Sequence, residues 1–112
     1  MSSRYVLERR GDGTFMFTLQ THNGKILLTS HAYEDKDSAL RATNTARQLA
    51  RRHENYELVR TDSGLVYFLL KGPRGEVIGQ SPYIDAESVR QEINLVKAKT
   101  HGARLEDLTD ES

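Results

Sequence analysis

The chain contains no cysteine and no tryptophan, has only two prolines, and carries no net charge. Without cysteine, neither a disulfide framework nor a thiolate metal centre can form. Its longest apolar runs, such as Val66-Tyr67-Phe68-Leu69-Leu70, stop at four or five residues, where a bilayer-crossing helix needs roughly 20. The opening Met1-Ser2-Ser3-Arg4 has no apolar core of a secretory signal, so a cytoplasmic location is the expectation. What is present is 37% hydrophobic and 29% charged residues in a chain of 112, the composition of an ordinary globular protein and the length of one domain, here 1–112.

Internal repetition is the strongest pattern. A shift of 51 positions pairs Tyr5 with Tyr56, Leu7 with Leu58, Arg9 with Arg60, Gly13 with Gly64, Phe17 with Phe68, Leu19 with Leu70, Gly24 with Gly75 and Ser30 with Ser81. After a one-residue deletion the shift is 50, pairing Tyr33 with Tyr83, Asp35 with Asp85, Ser38 with Ser88 and Asn44 with Asn94. Identities in one order with one gap read as a duplication, with copies at 4–53 and 55–109. The copies differ in charge. Residues 1–53 hold nine Lys/Arg against five Asp/Glu, and residues 54–112 hold seven against eleven, giving about +4 and −4, with acids at Glu106, Asp107, Asp110 and Glu111 near the end.

Each copy predicts the same elements. Tyr5 and Leu7 alternate with polar neighbours, as do Phe15, Phe17 and Leu19, the period of half-buried strands. Gly11-Asp12-Gly13 and Asn23-Gly24 supply hairpin turns, and Ile26 to Ser30 predicts a third strand. Thr61-Asp62-Ser63-Gly64 and Gly72-Pro73-Arg74-Gly75 are the second copy's turns. Asp35 and Asp85 stand where an N-cap belongs, ahead of apolar stripes at Ala39, Ala42 or Thr43, Ala46 and Leu49 or Ala50, and at Ala86, Val89, Ile93 and Val96. His101-Gly102 closes the second helix, and a short final strand falls within 103–109. Two copies together can bury what one cannot. The expected fold is α+β: two tandem β-β-β-α(-β) repeats sharing one antiparallel sheet, with both helices on the Phe17/Leu19/Phe68/Leu70 face.

The run Phe15-Met16-Phe17-Thr18-Leu19, followed by Asn23-Gly24, Ile26-Leu27, Ser30 and Tyr33, resembles the YegP-like family, small proteins of one or two such units and unknown function. The resemblance spans nearly the whole chain. It implies β-β-β-α-β units whose copies share a sheet and exchange C-terminal strands, and it transfers no catalytic residue. The chain departs from the pattern at Arg74, at the shortened Ser81-Pro82-Tyr83, and at Thr43-Asn44-Thr45-Ala46, where the family has Gly-Ile-x-x-Val. The first helix is therefore expected to pack more thinly.

No chemistry-bearing constellation emerges. His22, His31, His53 and His101 lack the spacing that sets two ligands on one face, so neither a metal nor a cofactor is expected. No Gly-x-Ser-x-Gly elbow is present, and the glycine turns precede strands, where a phosphate loop needs a helix behind it. Ser30 and Ser81 suit backbone bonding at strand ends, and Tyr33 and Tyr83 suit capping of the core edge. The expectation is a non-enzymatic protein-interaction or self-association module. Its surface would be the helix-free sheet face at Met16, Thr18, Tyr67, Leu69 and Lys71, together with the sheet edges. The alternative is nucleic-acid binding through Arg41, Arg47, Arg51 and Arg52 of the first copy. On an ideal helix Arg41 and Arg52 share a face and Arg47 lies about 120° away.

Overall fold

The computed structural model describes residues 2–109. The first strands, β1 (Arg4–Arg9), β2 (Phe15–Gln20) and β3 (Ile26–Thr29), form an antiparallel meander and lead into helix α1 (Lys36–Leu49). A short 3-10 turn at His53–Asn55 leads into β4 (Tyr56–Arg60), β5 (Leu65–Lys71) and β6 (Val77–Gln80), with a two-residue strand β7 (Ile84–Asp85) pairing the start of β5. Helix α2 (Val89–Thr100) and β8 (Arg104–Asp107) complete the chain. The sheet runs β4-β5-β6-β3-β2-β1-β8, and the two meanders meet at its centre through a single antiparallel pair, Thr29 with Gln80.

Alternation builds the core. Tyr5, Leu7, Phe17, Leu19, Phe68 and Leu70 are fully buried and share one cluster with Ala39, Ala42, Ala46, Ile93 and Val96 of the helices, so both helices cover the same face. The stripe of α1 is almost wholly alanine. Small side chains let a helix lie close to its sheet. Corresponding irregularities in the β2–β3 and β5–β6 pairing, at Leu19/Gln20 and Leu70/Lys71, change the facing of the third strand of each meander. Leu27 and Leu28 are consequently both buried.

The same local bonds recur about 51 residues apart. Ser30 Oγ accepts from Phe17 N–H and donates to the His31 carbonyl, and Ser81 Oγ does so with Phe68 and Pro82, at 2.9 and 2.8 Å in both places. Gly24 and Gly75 both take φ near +90° (+91° and +80°), a conformation that only glycine accepts without strain. The tyrosines cross over. Tyr5 shares a buried 2.6 Å hydrogen bond with Thr100 at the end of α2, while Tyr56 donates to the Ala50 carbonyl at the end of α1, also at 2.6 Å. Each meander's first strand thus anchors the far end of the helix that follows the other meander.

Three expectations need correction. The sheet is mixed, because β8 runs parallel to β1, with Arg4 opposite Arg104 and Leu7 opposite Asp107. A strand that returns after a crossing helix can re-enter the sheet in the parallel sense. Asp35 caps α1 by accepting from Ser38 N–H at 2.7 Å, but Asp85 does not cap α2. Its backbone belongs to β7, a 3-10 turn at Ala86–Ser88 intervenes, and α2 begins at Val89, leaving Ala86 exposed and outside the helix. Tyr83 does not cap the core; it is 62% exposed and meets Tyr67 edge-on. Among the terminal acids, Asp110 and Glu111 lie outside the described residues.

Candidate functional site

The helix-free face of the sheet is built from the alternate residues of each strand. Register places Glu106, Val6, Thr18, Thr29, Gln80, Leu69 and Glu57 in one row across seven strands. Of the five residues expected there, Met16, Tyr67, Leu69 and Lys71 are half-buried and Thr18 is buried at 3% exposure. Thr18 is closed over by its neighbours: Gln20 Nε2 donates to its hydroxyl at 2.9 Å, and Arg4 reaches Gln20 at 3.4 Å. Lys71 is engaged with Glu57 at 2.7 Å. Arg10 reaches the Met16 sulfur at 3.8 Å.

The open part of this face lies at its centre, over the seam between β3 and β6. A shallow groove of about 490 Å³ is lined by position-matched pairs: Ile26 with Val77, Thr29 with Gln80, Ser30 with Ser81, and His31 with Pro82. Ile26 and Val77 are 41% and 38% exposed. Two β-branched side chains at matching places on a mostly polar face are the residues that the alternation argument missed. The signal was available, because a shift of 51 sets Ile26 on Val77 as surely as it sets Leu19 on Leu70.

The four arginines are not brought together. Arg47 is drawn inward: its guanidinium lies 4.9 Å from the centre of the Tyr5 ring and donates to the Ala103 carbonyl. Burial pushes the Tyr5 hydroxyl up, opposed by its bond to Thr100 and by the Arg47 charge. Arg41, Arg51 and Arg52 are exposed, but α1 ends at Leu49, so the helical relation of Arg41 to Arg52 does not hold. Arg52 is engaged with Glu54 at 3.4 Å. Among the described residues, no three His, Asp or Glu side chains converge as a metal site would require, and no helix is long and apolar enough to cross a membrane.

Comparison with known proteins gives a consistent picture. A family model described as a domain of unknown function (DUF1508) matches residues 11–57. The chain is 35% identical to the UPF0339 protein PA0329 of Pseudomonas aeruginosa, over 96% of this chain and 98% of that protein. It is 33% identical to the UPF0339 protein YegP of Escherichia coli, over 97% of this chain and the whole of YegP. The solution structure of E. coli YegP, described as a protein of unknown function, superposes with a TM-score of 0.91 at 31% identity, covering 100% of this chain and 97% of that one. The solution structure of UPF0339 protein SO3888 from Shewanella oneidensis superposes at 0.89 with 25% identity, over 97% and 93% of the two chains.

Proposed function

The chain belongs to the UPF0339 family of YegP-like proteins, and on that premise we propose that it is a non-catalytic cytoplasmic binding protein. Its work is protein interaction or self-association through the helix-free face of the sheet. The observation that carries this reading is the central groove, where Ile26 and Val77 stay exposed while their strand neighbours Leu27 and Ile78 are buried. An apolar pair kept at the surface of a polar face marks a place where contact with a partner removes it from water.

The groove also has an architectural rationale. We read the chain as a duplicated unit, supported by the matched serine bonds, glycine turns and crossed tyrosines. In that reading β8 is the strand that the second unit gives to the first. A groove over the junction of two such units is lined twice by the same set of positions, which suits a two-fold or internally repeated partner surface.

The test is affinity capture from native lysate together with sedimentation of the purified protein, each with wild type and an Ile26→Lys/Val77→Lys double variant. Wild type should self-associate or retain a protein partner, and the double variant should lose it with unchanged circular dichroism. A strict monomer at low and high salt with no retained partner rejects the proposal. A nuclease arm separates the nucleic-acid reading, in which Arg41, Arg51 and Arg52 hold salt-sensitive RNA or single-stranded DNA.

A further inference from the structure

The parallel register of β8 on β1 creates an arrangement that has no counterpart on β4. It sets Arg4 directly opposite Arg104 on the helix-free face, and like charges directly opposite each other across a ladder destabilise it. One carboxylate is engaged nearby: Glu106, two residues along β8, takes Arg4 Nη1 at 2.9 Å. Arg104 has no ion pair among the described residues. Arg4 is itself short of acceptors. Its Nη2 reaches Gln20 only at 3.4 Å, and its Nε is buried without any hydrogen-bond partner. A guanidinium presents five N–H donors in a planar fork, and a buried N–H without an acceptor is costly.

These two guanidinium groups border a cleft of about 570 Å³ whose walls are Ser2, Ser3, His22, Leu105 and Glu106. Ser3 is occupied, since its hydroxyl donates to the Lys99 carbonyl. We infer that this corner is an anion-binding site for a phosphate group. A tetrahedral dianion offers enough acceptor oxygens for two forks at once, and the two guanidinium charges outweigh the single Glu106 carboxylate in the same cleft, which satisfies only one fork. The Arg104 fork closes on the phosphate from β8. Arg4 offers its weakly engaged Nη2 from β1. His22 and the Ser2 hydroxyl add donors at the rim. The size of the cleft leaves room for a small organic group on the phosphate, so inorganic phosphate and a phosphate monoester share this chemistry. The inference is independent of the central groove.

The test is a titration of the isotopically labelled full-length protein, followed by nuclear magnetic resonance. Inorganic phosphate, glycerol 3-phosphate and acetate are added at ionic strength matched with sodium chloride. Phosphate and its ester should produce saturable shifts at the amides of Arg4, His22 and Arg104 and at the Arg104 Nε–H signal, with acetate weaker by about tenfold. Tighter binding of the ester assigns the site to a phosphorylated small molecule, and equal binding assigns it to phosphate itself. Arg104→Gln should weaken the response by about tenfold, Arg104→Lys should keep part of it, and Arg41→Gln should leave it unchanged. Melting temperature supplies a second readout, because phosphate should raise that of wild type more than that of Arg104→Gln. Shifts equal to those in chloride alone, or a phosphate response undiminished in Arg104→Gln, overturn the inference.

Discussion

At the scale of single residues, the fold turns on a few polar atoms buried in an apolar core. Tyr5 and Thr100 share one hydrogen bond across 95 positions of sequence, and both side chains are almost fully buried. Removing one hydroxyl leaves the other dry and unpaired, which costs about 1–3 kcal/mol. Removing both leaves matched apolar surfaces. Tyr5→Phe and Thr100→Val should therefore each destabilise by that order, and the double variant by less than the sum, as read by urea unfolding in a double-mutant cycle. Additive losses would show that the pair is not coupled. Arg47 belongs to the same cluster. A basic residue on a helix reads as solvated in sequence, and only the fold reveals that Ala103 and Tyr5 come to meet it. The caps divide in the same way: Asp35 was legible because its partner, Ser38, lies within one turn, whereas the role of Asp85 depended on β5, some 20 residues earlier.

At the scale of elements, the two meanders were legible because strand alternation and glycine turns are local signals. The placement of β8 was not, since four residues of mixed polarity do not reveal which strand they will join or in which direction. Its attachment combines backbone hydrogen bonds with an ion pair. Lys36 at the start of α1 meets Asp107 at 2.7 Å, and Leu108 N–H donates to the Leu7 carbonyl at 2.8 Å. The Lys36 bond, then those from Thr109, hold the Asp107 carboxyl down at about 2. A carboxyl depressed in the folded state contributes stability that is present above its unfolded value. That stability is lost as pH falls through the folded one, here between about 4 and about 2. In Lys36→Met the Asp107 midpoint should rise part of the way to its ordinary value, the Thr109 bonds remaining. The Leu108 amide should then lose its protection at higher pH than in wild type. A carboxyl carbon titration with amide exchange measures both, and an unmoved midpoint would exclude Lys36 as the cause.

At the scale of the whole molecule, the halves are joined both within the sheet and by what crosses over it. One residue pair links β3 to β6 and four link β8 to β1, while the helices contribute to one core with strands of both meanders and the tyrosine anchors run crosswise. Fragments 1–53 and 54–112, prepared separately, should each be largely unfolded by circular dichroism and should recover ordered structure when mixed. A fragment that folds alone with a cooperative melt would contradict that account. The edges also differ. Leu7 on β1 is fully buried beneath the reach of β8, whereas its match, Leu58 on the uncovered β4, is 40% exposed.

The pairing of β8 with β1 has a consequence in time as well as in space. β1 leaves the ribosome well before β8, and the bonds from Ser3 to Lys99 and from Tyr5 to Thr100 likewise join residues far apart in sequence. Contacts of such long sequence separation slow folding because a large loop must close first. The nascent chain therefore carries an unfinished edge on β1 until β8 has been made, and the native core closes only after the final turn of α2 has emerged.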